Sequence, residues 1–134
     1  SPDALHWKPC IKPGIRPQAN TVATARMGGG APPIRTKDGW LSLWHDVEPK
    51  EIVGIYRTYW SILEAEDPSV VVRSSDAPLL EAAPHLTHLL DDSMYIHDVV
   101  FTTGIADAGD HYIVASGEAD LACRITHVPK SAFA

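Results

Sequence analysis

Hydrophobic and polar residues alternate along this chain in short runs rather than at helical spacing. The runs that read as strands cover residues 39–47, 52–63, 70–73, 99–103, 111–116 and 122–128. Turn-forming sequences separate them, such as Lys-Asp-Gly at 37–39 and Ala-Gly-Asp at 108–110. Only 77–90 resembles a helix, and Pro78 and Pro84 interrupt it. The pattern therefore predicts an all-β fold with little helix, as a sandwich, a barrel or a propeller.

Composition narrows the class of protein but not its function. The 134 residues suffice for one domain with a core, and the net charge is −6 with lysines and arginines scattered singly. We therefore expect neither a nucleic-acid partner nor a membrane partner. The two cysteines, Cys10 and Cys123, are expected to be free thiols in a reducing compartment. With no signal peptide or membrane-length apolar run recognised, a cytoplasmic protein is predicted.

One segment carries more chemical information than the rest. A glycine run at 28–30 is followed by Pro32 and Pro33, a turn, and a strand that contains two tryptophans and ends at His45. Glycines let backbone approach a ligand closely, and prolines stiffen the exit from the run. The order predicts a ligand cavity with His45 at its side.

The same segment resembles a family signature. Residues 26–47 read RMGGGAPPIRTKDGWLSLWHDV, and glycoside hydrolase family 130 typically reads K-I-G-x-G-x-P-P-I-K-T-x-x-G-W-L-x-x-Y-H-G-V. Further resemblances follow in family order: SPDALHW at 1–7, EDPSVVVRS at 66–74, PLL at 78–80, VVFTTG at 99–104 and GEAD at 117–120. Residues 86–97 and 116–118 depart from the family pattern. The resemblance, to the β-mannoside phosphorylases and their relatives, covers nearly the whole chain.

For the fold, the resemblance implies a five-bladed β-propeller with its substrate in the central cavity. A four-stranded blade takes about 40 to 50 residues, so residues 1–134 are expected to form a partial propeller domain of two to three blades. The N-terminal blades of the family would then be missing. An open arc of blades leaves sheet edges unpaired. We therefore expect a piece of a longer protein, self-association, or a partner chain that completes the ring.

For the chemistry, the resemblance implies an inverting β-1,4-mannoside phosphorylase. Such an enzyme converts a mannosyl oligosaccharide and inorganic phosphate to mannose 1-phosphate, with phosphate as co-substrate and no other cofactor. Carried over by position, the phosphate-binding residues are Arg26, His45 and Tyr56. A guanidinium fork, an imidazole and a phenol are all suitable donors to phosphate oxygens. Arg57 is adjacent but should point to the opposite face of an extended segment.

The sugar would contact other residues of the same cavity. The resemblance places Asp120 against sugar hydroxyls and Gly29 and Gly30 along the substrate. Asp120 could equally cap a turn between two strands. Trp40 and Trp44 share strand parity and could stack on a sugar ring, although packing between blades is the favoured interpretation.

The resemblance assigns no catalytic residue to this chain. The family's general acid is an aspartate that lies upstream of the segment resembling residues 1–7, so the isolated chain is expected to be inactive. Two alternatives stay open on the same fold: a β-mannoside hydrolase, and a non-catalytic carbohydrate-binding or structural remnant. Hydrolysing relatives tend to lose the cationic phosphate set, which favours phosphorolysis here.

No metal site is predicted. His85 and His88 have a spacing that would suit a helix, but Pro84 interrupts one, and no zinc motif surrounds them. The remaining histidines of strand-like segments are expected to have structural roles: His97, His111 and His127.

Overall fold

The computed structural model describes residues 3–6 and 26–134, and in this part of the chain almost all regular structure is β-strand. The strands are β1 (Arg26–Gly29), β2 (Ile34–Thr36), β3 (Gly39–Glu48), β4 (Ile55–Leu63), β5 (Val71–Ser74), β6 (Val100–Asp107), β7 (His111–Glu118) and β8 (Ala122–Pro129). Short 3₁₀ helices cover Pro84–Leu86, His88–Ser93 and Lys130–Phe133. The all-β prediction is confirmed. Within the described residues, no helix is long and apolar enough to cross a membrane.

The first sheet contains β1 to β5. Both β1 and β2 pair antiparallel with the same edge of β3, while β4 and β5 follow on its other side. Together β1 and β2 therefore form one outer strand that is interrupted at residues 30–33. Pro32 and Pro33 lie in this interruption, and proline cannot donate a backbone hydrogen bond to a neighbouring strand. The result is a single antiparallel sheet that is four strands wide, as in propeller blades.

The second sheet is a meander of β6, β7 and β8 in chain order. A tight turn joins β7 to β8, in which the Leu121 amide donates to the Glu118 carbonyl oxygen at 3.0 Å. Its two central residues, Ala119 and Asp120, have φ angles of 51° and 56°. Both φ angles lie in the left-handed region, which is uncommon for residues other than glycine and occurs mainly in turns.

The core lies between the inward faces of the two sheets. Along β3 every second residue is buried, which is the period that one buried sheet face requires. The main buried cluster contains Leu41, Leu43, Trp60, Ile62, Val100, Tyr112, Val114, Val128 and Phe133. It draws on both sheets, so the two sheets pack face to face as neighbouring blades do.

Candidate functional site

The three predicted phosphate-binding residues lie on one face of the first sheet, at one end. Arg26 pairs with Val47, and Val47 pairs on its other side with Tyr56. Directly paired residues point to the same face, and so does His45, which lies two positions before Val47. The rings of His45 and Tyr56 stack with their centroids 5.3 Å apart. The structure therefore brings the imidazole and the phenol together and places Arg26 in the adjacent cross-strand row.

Arg26 provides the positive charge of this group. Its side chain is exposed, and Nη2 donates to the Val53 carbonyl oxygen at 3.1 Å. Val53 and Tyr56 both pack against the same small buried cluster at this end of the sheets. The bond to Val53 uses one of the five N–H groups of the guanidinium and leaves the others available to an anion.

His45 is 9% exposed, and its ring contacts both sheets. The Phe101 ring, from β6, lies 4.8 Å away, and a Cβ placed on Gly28 would stand 2.6 Å from the imidazole. The buried Nδ1 atom has no hydrogen-bond partner within residues 3–6 and 26–134. An unpaired buried polar atom is costly, so this nitrogen marks a place where a ligand or water would be stabilised.

Burial lowers the pKa of His45, because the charged imidazolium loses its water. The Gly29 backbone and the Asp46 charge oppose this effect but do not outweigh it. His45 is therefore neutral at neutral pH and serves as an uncharged hydrogen-bonding group. The cationic role falls to Arg26.

The lowered pKa of His45 leads to a pH-dependent stability. The unfolded pKa is about 6.5, so above that pH both states are neutral and the free energy of unfolding is unaffected by His45. Below it, the unfolded chain binds the proton first, and stability falls as the pH drops toward the lower folded pKa. Urea unfolding at pH 7.5 and 5.5, in buffer without phosphate, should therefore show that the wild-type chain loses more stability at the lower pH than His45→Gln does. Equal losses in the two proteins would contradict this burial effect, and His88→Gln is the matched control.

The glycine run has a different role at each position. A Cβ on Gly30 would overlap Thr102 Oγ1 and stand 3.1 Å from the Leu43 carbonyl oxygen, and the Gly30 amide donates to that oxygen at 3.0 Å. Gly28 makes room for His45 in the same way. A Cβ on Gly29, in contrast, would meet nothing within 4 Å. Of the two glycines predicted to line the substrate, Gly29 thus faces open space, and Gly30 packs against the second sheet.

This difference predicts opposite results for two alanine substitutions. Gly30→Ala should lower the free energy of unfolding by about 1 to 2 kcal/mol, because Thr102 must move from a packed position. Gly29→Ala should change it by less than about 0.5 kcal/mol. Denaturant unfolding of the two variants measures both values. Equal destabilisation would show that the run is constrained as a whole and not residue by residue.

Asp120 occupies the tip of the β7–β8 turn and is exposed. Its Oδ2 accepts a hydrogen bond from the Tyr95 hydroxyl at 3.3 Å. The preceding Ala119 packs with Val99 in the same small cluster as Tyr56. Asp120 therefore lies at the Tyr56 end of the sheets with its carboxylate at the surface, and the turn role and a sugar-binding role are both compatible with that position.

The predicted orientation of Arg57 is confirmed, and the two tryptophans share its face. Arg57 forms ion pairs with Glu48 and Glu81 at 2.6 Å and 2.8 Å, on the side of the first sheet that points away from the second. Trp44 stacks on Tyr59 there, with ring centroids 4.8 Å apart. Trp40 and Trp44 therefore do not lie between the two described sheets.

Glu118 is the prominent polar residue that sequence reasoning missed as a site component. It is 1% exposed and lines a cavity of about 400 Å³ together with residues from 82–98. Its Oε1 accepts from Arg124 Nη1 at 2.9 Å, and its Oε2 accepts from the Ala83 amide at 3.0 Å. The signal was present in the strand period, because residues 112, 114 and 116 alternate inward along β7 and 118 continues the series.

Comparison with known proteins identifies the family. The glycoside hydrolase 130 family model, described as β-1,4-mannooligosaccharide phosphorylase, matches residues 1–132. A 1,2-β-oligomannan phosphorylase from Thermoanaerobacter sp. (strain X514) is 39% identical over 120 residues, which are 90% of this chain and 38% of that protein. A β-1,2-mannobiose phosphorylase from the same strain is 32% identical over 106 residues, which are 79% of this chain and 33% of that protein.

Comparison with solved structures agrees with this family assignment. The β-1,2-mannobiose phosphorylase from Listeria innocua, solved with β-1,2-mannobiose, superposes with a TM-score of 0.65 at 29% identity over 80% of this chain and 28% of that one. A glycosyl hydrolase from Bacteroides ovatus, at 17% identity and a TM-score of 0.63, shares the fold. The chain thus spans less than two fifths of the length of these relatives. It belongs to glycoside hydrolase family 130.

Proposed function

We propose that this chain is the part of a β-mannoside phosphorylase that holds the attacking phosphate. The observation that carries the proposal is the buried, unpaired Nδ1 of His45, whose ring stacks on Tyr56 one cross-strand row from Arg26. A phosphate oxygen would satisfy this nitrogen, and the guanidinium would neutralise part of the phosphate charge. Tyr56 adds a donor without adding charge.

In the proposed reaction, phosphate replaces the water of an inverting glycosidase. A phosphate oxygen forms a bond to the anomeric carbon while the glycosidic bond on the opposite face breaks. One carboxylic acid delivers its proton to the departing sugar oxygen, so a single carboxyl group suffices. The family resemblance places that acid upstream of this chain. Residues 26–134 would orient the nucleophile and neutralise part of its charge.

We propose β-1,2-linked mannosides as the substrates. The family description names a β-1,4 linkage, as the sequence resemblance also implied, whereas the relatives are β-1,2-mannobiose and 1,2-β-oligomannan phosphorylases. The relatives at 32% to 39% identity favour the β-1,2 linkage. No other cofactor enters the proposed reaction, and the cytoplasmic location remains a prediction from composition.

Product analysis tests the function. The 134-residue chain, and any longer protein that carries it, is incubated with β-1,2- or β-1,4-mannobiose, with and without phosphate. We expect mannose 1-phosphate only with phosphate and only in the longer protein, while the short chain binds without turnover. Free mannose released without phosphate would indicate a hydrolase instead. Sugar binding without any turnover in the longer protein would indicate a non-catalytic remnant.

We also propose that another chain or further blades cover the open sheet edges. All residues of β5 are exposed, and on β8 the Ile125 side chain is 61% exposed. Exposed strand edges with apolar side chains favour pairing with further strands. Sedimentation at micromolar concentration should therefore show self-association, and a stable 14.6 kDa monomer would contradict it.

A further inference from the structure

Two histidines face each other on the outward face of the second sheet, away from the proposed phosphate site. His127 of β8 pairs with Ile113 of β7, and His111 lies two positions before Ile113 on the same face. His127 Nδ1 is 2.8 Å from His111 Nε2, and the ring planes are tilted by 33°. The other ring nitrogen of His111, Nδ1, is 2.5 Å from Asp110 Oδ1.

These contacts fix the state of the His111 ring. Its Nδ1 donates to the Asp110 carboxylate, so in the neutral ring Nε2 carries a lone pair that points at His127. A carboxylate behind an imidazole in this way is the arrangement that orients metal-ligating histidines. The positive charge of nearby Lys130 is paired with Asp107 at 2.8 Å beside the same hairpin.

The 2.8 Å separation is that of a hydrogen bond between the two rings. It leaves both nitrogens close enough that rotation of the side chains lets one ion contact each of them at about 2.0 Å. Imidazole nitrogen is a usual ligand of Zn²⁺, Cu²⁺ and Ni²⁺.

We propose that His111 and His127 form a surface chelate for a divalent transition-metal ion, oriented by Asp110. On binding, His127 Nδ1 gives its lone pair to the metal and carries its proton on Nε2 instead, so the shared hydrogen bond is replaced by two metal–nitrogen bonds. Within the described ranges no group of three or more His, Cys, Asp and Glu side chains could hold a metal ion. Water would therefore fill the remaining positions. The sequence alone suggested only structural roles for these histidines, because the 2.8 Å approach depends on the strand register.

Titration of the untagged chain with Ni²⁺, followed by calorimetry at pH 7.5, tests the chelate. One equivalent should bind, and the thermal midpoint should rise with Ni²⁺ concentration because the metal binds the native state. Asp110→Asn should weaken binding about 10- to 100-fold, the usual effect of removing such a carboxylate. His127→Gln and His111→Gln should each weaken it at least as much, whereas His88→Gln, on the 3₁₀ segment, should not change it.

Equal Ni²⁺ affinity in wild type and His127→Gln, with circular dichroism showing both folded, would overturn the proposal. Absence of any saturable binding by the wild-type chain would overturn it as well.

Discussion

Glu118→Ala is expected to lower the free energy of unfolding by about 3 to 5 kcal/mol, the usual result of removing one partner from a buried ion pair. The Glu118 side chain is 2% exposed and that of Arg124 is 22% exposed. Removal of the carboxylate would leave the Arg124 guanidinium without its charge partner and the Ala83 amide without its acceptor. It would also remove one of the contacts that join residues 82–98 to the second sheet, the bond to the Ala83 amide.

Denaturant unfolding measures this loss, and Glu81→Ala is the matched control. Glu81 also pairs with an arginine, Arg57, but its side chain is 61% exposed. Exposed ion pairs contribute about 0 to 1 kcal/mol, so Glu81→Ala should have little effect. Similar effects of the two substitutions would show that the Glu118–Arg124 pair contributes no more to stability than an exposed ion pair.

Arg26→Gln is expected to weaken phosphate binding about 10- to 100-fold, since a charge-assisted hydrogen bond contributes about 1.5 to 3 kcal/mol. Stability should change little, because the Arg26 side chain is exposed and makes one described hydrogen bond, to Val53. Calorimetric titration with inorganic phosphate measures the affinity of both proteins.

Arg35→Gln is the control for Arg26→Gln. Arg35 is also an exposed arginine that donates to a backbone carbonyl, that of Ala65 at 2.9 Å, but it lies on β2 away from His45 and Tyr56. Its loss should leave phosphate affinity unchanged. If both substitutions weakened binding equally, general positive charge and not the Arg26 position would explain the affinity.

The sequence predicted the strands that bury one face. The predicted 39–47 is observed as Gly39–Glu48, and 111–116 as His111–Glu118, because alternate apolar residues on these strands fill the core. The run at 52–63 forms a single strand, Ile55–Leu63, preceded by a turn. The stretch 77–90, which resembled a helix apart from its two prolines, contains only 3₁₀ segments, the first of which begins at Pro84.

The glycine segment could not be predicted correctly from its pattern. Residues 28–30 carry no side chains, so they have no hydrophobic period, and propensity disfavours glycine in strands. Pairing with β3 nevertheless makes Arg26–Gly29 a strand. Its glycines were interpreted as a surface for ligand, but at positions 28 and 30 they accommodate His45 and Thr102 of the protein itself.

Contacts between the two sheets could not be predicted from the sequence either. The face shared by Arg26, His45 and Tyr56 follows from strand parity and register, but the Phe101 ring that buries His45 comes from a strand more than fifty residues later. Such long-range packing sets the lowered pKa of His45 and with it the division of roles between a neutral imidazole and a charged guanidinium.

The most direct test of the phosphate site is the NMR signal of the His45 ring during a phosphate titration of the wild-type chain at pH 7.5. A saturable shift of the His45 Cε1–H resonance is expected, larger than that of exposed His88, and it should require much higher phosphate in Arg26→Gln. An unmoved His45 resonance, or the same titration curve in Arg26→Gln, would contradict the assignment of Arg26 and His45 to one phosphate site.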